Sequence, residues 1–396
     1  MFSKNFARMV LASDRMEATL VAVDTGGTFT DFYAISTRGV RLHKVASAPQ
    51  DPSLALIRGL RELGLEGPIV LVHGSTVATN ALLESKGARV ALLTTAGFED
   101  VLEIGRQNRP ALYDLKVSRP KPLVERSRRI GIQERISSQG DVIAPLKSAA
   151  IAAALRWLRK AKPESVAICL LGSFANPKHE RRLAAALGDI WPLSISSEIS
   201  PEFREFERSS TTAVNAYVMP LMEKYLHHLK RALPHPIRIM QSNGGALSVE
   251  EASREAVRTL LSGPAGGALG AFRAGCLAGF DKLITLDMGG TSTDLSLMDG
   301  ALELSSEAVL AGHPIKTPML KIDTIGAGGG SIAWVDSGGA LRVGLNPPVP
   351  CPVQSPTGAA ASASRSAMRI FIWVAWRKIF FSAARCACTA QASPDL

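Results

Sequence analysis

The chain reads as an α/β protein with mixed sheets, on three observations. Short apolar runs of strand length alternate with helical patterns along most of the sequence. A glycine hairpin at 23–35, "VDTGGTFTDFYAI", is written a second time at 286–298 as "LDMGGTSTDLSLM", and the two bracket about 260 residues, so they belong to separate halves. The chain has 396 residues and is 46% hydrophobic, enough for two or more cored domains.

Strands are expected at "TLVAVD", "DFYAI", "IVLVHG", "ARVALLTT", "SVAICLL", "IRIM", "KLITLDM" and "TDLSLM". Between them "SLALIRGLREL" and "SAAIAAALRWLRKAK" carry apolar residues at helical spacing. "STVATNALLESKG" has a cap at Ser75 or Thr76 and a stop at Gly87. Residues 201–233 read as long helical material with a break at Pro220, followed by a turn at "QSNGG", a helix in "SVEEASREAVRTLL" and "SGPAGG", which either supports a nucleotide lobe or, more plainly, is a helix-ending Gly-Pro.

The formal charge is +10 at pH 7. Basic residues are scattered and not interleaved with aromatics, so no nucleic-acid platform is expected. Five cysteines form neither a disulfide framework nor a zinc pattern, which points to a reducing compartment, the cytoplasm; Cys169 is expected in the core. The first fifteen residues hold no signal-peptide run, and "IFIWVAW" at 370–376 is too short for a membrane span.

In each hairpin a strand ends on an acidic residue, turns through two glycines and returns with alternating hydroxyls. Glycine admits close approach of a polyanion to the backbone N–H groups. Gly26, Gly27, Thr28 and Thr30 in one copy, and Gly289, Gly290, Thr291 and Thr293 in the other, are therefore expected around the phosphates of ATP. Asp24 and Asp287 are the candidates to hold Mg²⁺ through water. Asp31 and Asp294 either orient the hairpins or are purely structural. "IGAGGGS" at 325–331 adds exposed amides through Gly328 and Gly329.

These stretches, together with "HGSTVATNALLESKGARVALLTTAGFEDVLEIGRQNRPALYDL", "SNGGALSVEEA", "LLSGPAGGALGA" and "IDTIGAGGGSIAWVD", resemble the hydantoinase A / 5-oxoprolinase family from Thr19 to Gly344. The resemblance implies actin–hexokinase–Hsp70-type ATPase lobes, ribonuclease H-like, with the second lobe incomplete. It implies ATP-dependent opening of a cyclic amide such as 5-oxoproline or an N-substituted hydantoin, with a hydantoinase B-type subunit or domain as partner. Related members are acetone or acetophenone carboxylase subunits; a sugar kinase of the same superfamily fits less well. Asp24 and Asp287 are then the catalytic and metal candidates. His73, expected at a strand's C-terminal edge, is either a further catalytic group or a hydrogen-bonded loop residue. Arg106, Arg109 and Tyr113 match a family stretch and could equally hold an anionic substrate or line a solvated loop. A homo-oligomer is compatible with the sequence, which does not fix an oligomeric state.

The organisation expected is an extension over 1–18, an N-terminal region over 19–200, the start of an ATPase domain over 201–344, and an unrelated tail over 345–396. In that tail, allowed codons for Leu345 to Ala361 read one base displaced give "PESAGAVPGPVAYGRGG", and those from Arg365 to Arg377 allow "VSDANLHLGRLA"; family members continue with similar motifs. A frameshift at Gly344 is therefore expected, which would leave the product truncated and inactive. Resequencing the codons after Gly344 tests this. A missing cytosine in the run is the expected result, and an intact run makes the tail an artefact.

Overall fold

The computed structural model describes residues 18–26, 29–48, 50–108, 121–289, 293–335 and 341–344. These form two compact units, one running to Gly270 and including Leu302–Lys321, the other made of Ala271–Ala301 and the residues from Ile322 on. The units do not follow the segments 19–200 and 201–344, because residues 201–270 join the first. The tail from 345 and the extension before 18 lie outside the described residues.

The first unit holds a six-stranded sheet built on β1 (Thr19–Thr25), β2 (Phe29–Ser36), β3 (Gly39–Ala46) and β4 (Ile69–Ser75). β1 sits between β2, antiparallel, and β4, parallel; strand Ile237–Met240 adds beyond β4 and the two-residue strand Ala246–Leu247 closes that edge. Alternation sends Val21, Val23 and Phe32 into the core. The helix Pro52–Leu63 covers that face. Asp51 caps it by accepting from Ser53 N–H, and Gly64 ends it at φ 53°. Gly59 on this helix lies against Phe32, whose ring a Cβ would meet at 2.2 Å.

A second, parallel sheet orders Leu193–Ile195, Ser165–Cys169, β5 (Val90–Thr95) and β6 (Arg129–Ile132). Helices Ser148–Ala161 and Lys178–Leu187 bury Leu158 and Leu183 in a core of their own with Leu93 and Ile168. Cys169 is buried, as expected.

The two sheets are joined by the helix Glu205–Ala232, whose first half is buried although it is polar: Glu207, Arg208, Ser209, Thr211, Thr212 and Asn215 all lie inside. Buried polar groups need partners, and here each has one. Arg208 bonds the Glu205 carboxylate at 2.6 Å, Ser196 Oγ at 2.6 Å and Ser173 Oγ at 2.5 Å. Asn215 donates to the Arg254 carbonyl at 2.9 Å and accepts from Val257 N–H.

The break expected at Pro220 does not occur; the helix runs through it. Proline removes the bond to the carbonyl four residues back, and that carbonyl, Ala216 O, accepts instead from Ser165 Oγ at 2.6 Å. "SGPAGG" also differs from expectation. It opens the helix Ser262–Leu277, with Pro264 in the first turn, where its missing N–H costs nothing.

The second unit contains an antiparallel sheet, Lys282–Met288, Thr293–Asp299 and Asp323–Ile325, and a ribbon pairing Ile332–Val335 with Leu341–Gly344. All eight expected strands are present. β3 was not among them, because Arg41, His43 and Lys44 interrupt its apolar pattern. Among the described residues, no helix is long and apolar enough to cross a membrane.

His73 was expected at the end of a strand, open to substrate. It is instead inside β4 and wholly buried, with Nε2 2.7 Å from Tyr225 Oη and Nδ1 3.4 Å from Val23 O. This corrects its candidacy as a catalytic group: a sealed imidazole has no route to substrate. Desolvation lowers its pKa from 6.5 to about 4, the Val23 hydrogen bond opposing.

Arg208→Ala is expected to lower stability by about 3–5 kcal/mol, since it leaves buried acceptors and a carboxylate unpaired; a urea midpoint measures it. For His73 the unfolded chain takes a proton near pH 6.5 and the folded one only near 4. The stability tied to the neutral ring is thus complete above pH 6.5 and is lost as pH falls toward 4, by roughly 3 kcal/mol in all. Urea titrations across that range should show this component in the native chain and not in His73→Gln.

Candidate nucleotide-binding hairpins

In the first unit Val21, Val23 and Thr25 face the core, so alternation places Asp24 on the opposite, exposed side of β1. Across the hairpin Asp24 registers with Asp31 and Thr25 with Thr30. Gly26 N–H donates to Phe29 O at 3.0 Å, and a Cβ on Gly26 would press to 3.2 Å from that oxygen. Ser47 Oγ donates to Gly26 O at 2.7 Å and lies 3.0 Å from Thr30 Oγ1. Thr30 is fully buried. Its hydroxyl shapes the turn and is not presented to a phosphate, which corrects the expectation for that residue.

Two further segments close on Asp24. Gly74 is its parallel-register partner on β4, and Gly263 lies in the first turn of the helix Ser262–Leu277. A Cβ on either would stand 3.2 Å from Asp24 Oδ1. Ser262 Oγ fastens the helix start by donating to Ser75 O at 3.2 Å and accepting from Ser75 N–H at 3.4 Å. Thr79 Oγ1 accepts from Leu261 N–H at 3.0 Å, holding Leu261 at φ 56°. Asp24 is thus set between two glycines, Gly74 and Gly263, beside the positive end of a helix, in the surroundings that suit an anion with its metal.

The second unit repeats the hairpin in the same register. Asp287 pairs with Asp294 and Met288 with Thr293, four residues separating this last pair just as four separate Thr25 from Thr30. Asp287 is exposed, and Asp294 accepts from Thr324 Oγ1 at 2.6 Å. Thr293, like Thr30, is buried: its hydroxyl donates to Ala327 O at 2.7 Å. Gly329 N–H donates to Gly289 O at 3.0 Å, so the loop 325–331 is stapled to the hairpin. Gly328 N–H is also engaged, by Ser331 Oγ at 2.9 Å. Both amides expected to be open are therefore spent on the local structure.

Arg106 does not offer a free fork. Its Nε and Nη2 grip Glu207 at 2.7 and 2.6 Å, anchoring the loop to the long helix. Gly27, Thr28, Arg109, Tyr113, Gly290 and Thr291 lie outside the described residues. Sequence reasoning missed Gly74 and Gly263 beside Asp24. Their glycines stand in "HGS" and "SGPAGG", but nothing in those strings says they meet.

Among the described residues no three His, Cys, Asp or Glu side chains converge as a dedicated metal cage. Mg²⁺ that arrives with a nucleotide needs only one or two carboxylates plus phosphate and water. The glycine cradle around Asp24 fits that requirement.

Residues 20–190 match the family described as hydantoinase/oxoprolinase N-terminal region, and residues 208–359 that described as hydantoinase/oxoprolinase. The second match runs past Gly344, where the resemblance was expected to end. Caprolactamase subunit alpha of Pseudomonas jessenii is 39% identical over 82% of this chain and 50% of its own. The solved structure of that ATP-dependent caprolactamase superposes with TM-score 0.74 at 37% identity, over 84% of this chain and 51% of that one. Acetone carboxylase, solved nucleotide-free and described as carrying out ATP-dependent acetone carboxylation, gives TM-score 0.69 at 27% identity, over 83% and 50%. 5-Oxoprolinase 1 of Arabidopsis thaliana is 35% identical over 81% of this chain and 29% of its own. The chain spans about half the length of the first curated relatives it matches. With both parts matched in order and the hairpins repeated in register, the chain belongs to the hydantoinase/oxoprolinase family, an actin-like group of ATP-dependent cyclic-amide hydrolases and carboxylases.

Proposed function

We propose that this chain is the ATP-using subunit of an enzyme that opens a cyclic amide, with 5-oxoproline or an N-substituted hydantoin as the substrate class. The observation that carries the reading is Asp24 in its cradle of Gly74 and Gly263, on a hairpin whose register Asp287 and Asp294 repeat.

A lactam resists water because its nitrogen donates into the carbonyl. ATP with Mg²⁺, bound at the hairpins, would supply a phosphoryl group to the amide oxygen and leave the carbonyl carbon open to water. The chain's own part is positional. Asp24 and Asp287, each on the hairpin of its own unit, would be the residues to hold metal-bound water, the hairpin glycines would admit phosphate to the backbone, and the helix start at Ser262 favours negative charge. Thr30 and Thr293 tie their strand starts to Ser47 and to Ala327 O. Arg109 and Tyr113 remain in the proposal as contacts to substrate; Arg106, committed to Glu207, does not. The cytoplasm and a B-type partner subunit belong to the same reading, the latter supported by relatives named as subunits.

A second reading, a carboxylase subunit acting on a ketone with bicarbonate, is supported by the likeness to acetone carboxylase and by 30% identity to the acetophenone carboxylase gamma subunit of Aromatoleum aromaticum. The two readings share the same nucleotide hairpins.

ADP release by the chain with its partner subunit, measured against 5-oxoproline, hydantoins, caprolactam, and acetone plus bicarbonate, separates them. Stimulation by a cyclic amide is expected; stimulation by acetone plus bicarbonate alone would select the carboxylase. Release with none of them would leave the chain inactive as written. Asp24→Asn should lower the stimulated rate by roughly 10²–10³ with the fold retained.

A further inference from the structure

β4 ends in "HGS", and these three residues do different things to Asp24. Gly74 clears space for its carboxylate. His73, just before it, is tied into a buried hydrogen-bond chain whose direction the donors fix. A carbonyl only accepts, so His73 Nδ1 carries the proton shared with Val23 O, and Nε2 must accept from the Tyr225 hydroxyl at 2.7 Å. Both members are shielded: His73 is 0% and Tyr225 8% exposed. The chain runs one way, from Tyr225 through His73 to the carbonyl immediately before Asp24.

The long helix supplies Tyr225, so its hydroxyl is the point where the core's main helix reaches the end of β4 and, through it, β1. Ser75 is also clasped through its backbone by Ser262, which sets the helix start carrying Gly263. One tyrosine hydroxyl therefore ties the long helix to the peptide preceding Asp24, while the Ser75 backbone separately holds the glycine helix.

We propose that Tyr225 and His73 are positioning residues for Asp24, holding its carboxylate at the place where a metal–nucleotide is bound. Neither touches the ligand. The inference rests on the nucleotide reading of the Asp24 hairpin given above. Outer partners of this kind alter metal affinity by about 10–100-fold when removed.

The test is a double-mutant cycle on Mg-ATP affinity, by calorimetry on the full 396-residue chain, with Tyr225→Phe and Asp24→Asn. Tyr225→Phe keeps the ring and deletes the hydroxyl. It should weaken Mg-ATP binding about tenfold when Asp24 is intact and less than about twofold in the Asp24→Asn chain. Should Asp24→Asn leave no measurable binding, the comparison is between Mg-ATP and metal-free ATP, and the Tyr225→Phe loss should vanish without metal. His73→Gln replaces Tyr225→Phe in the same cycle if the latter does not fold. Equal losses in both arms, or no loss, overturn the positioning role while the nucleotide reading stands. Failure of the unaltered chain to bind Mg-ATP overturns the nucleotide reading, and the inference with it.

Discussion

The arrangement of the first unit depends on a steric constraint: three backbone segments must meet around one carboxylate. β1 brings Asp24, β4 brings Gly74 in parallel register, and the helix Ser262–Leu277 brings Gly263. Side chains at the last two positions would crowd Asp24 Oδ1 at 3.2 Å. Parallel pairing of β1 with β4 is what lets a distant strand end, and the helix clasped to it, arrive at the hairpin turn.

That approach needs a rigid support, and the long helix Glu205–Ala232 provides it in an unusual way. Its buried first half is polar and is held by hydrogen bonds to the second, parallel sheet, to the 254–257 region and to the segment around Lys316. An apolar helix could slide or rotate at modest cost. A helix whose Arg208 and Asn215 each have several fixed partners is pinned, because moving it would leave buried groups unpaired. Tyr225, further along, carries this fixed position to His73 and the end of β4.

The hairpin hydroxyls and the His73 imidazole show where chemical identity misleads. Thr30, Thr293 and His73 have the donors a nucleotide site uses, yet all three are buried and bonded to neighbours. In each hairpin the threonine sits at an inward position of the returning strand, where the pleat and not the residue type decides its direction. The family relation fits this construction. The caprolactamase and acetone carboxylase structures share the fold over more than four-fifths of this chain.

The eight strands, the Gly-Gly turns and the duplicated Asp register were legible in the sequence, because alternation and glycine are local signals that need no distant partner. The sequence also carried the family motifs. Only the tertiary structure decided that Pro220 does not break its helix, since the rescuing donor, Ser165, is remote in the chain. It likewise decided that Arg106 is committed to Glu207, that His73 is sealed by Tyr225, and that Gly74 and Gly263 flank Asp24. Each of these depends on which two distant segments touch, and that is set by the packing of the whole core, not by any window of residues.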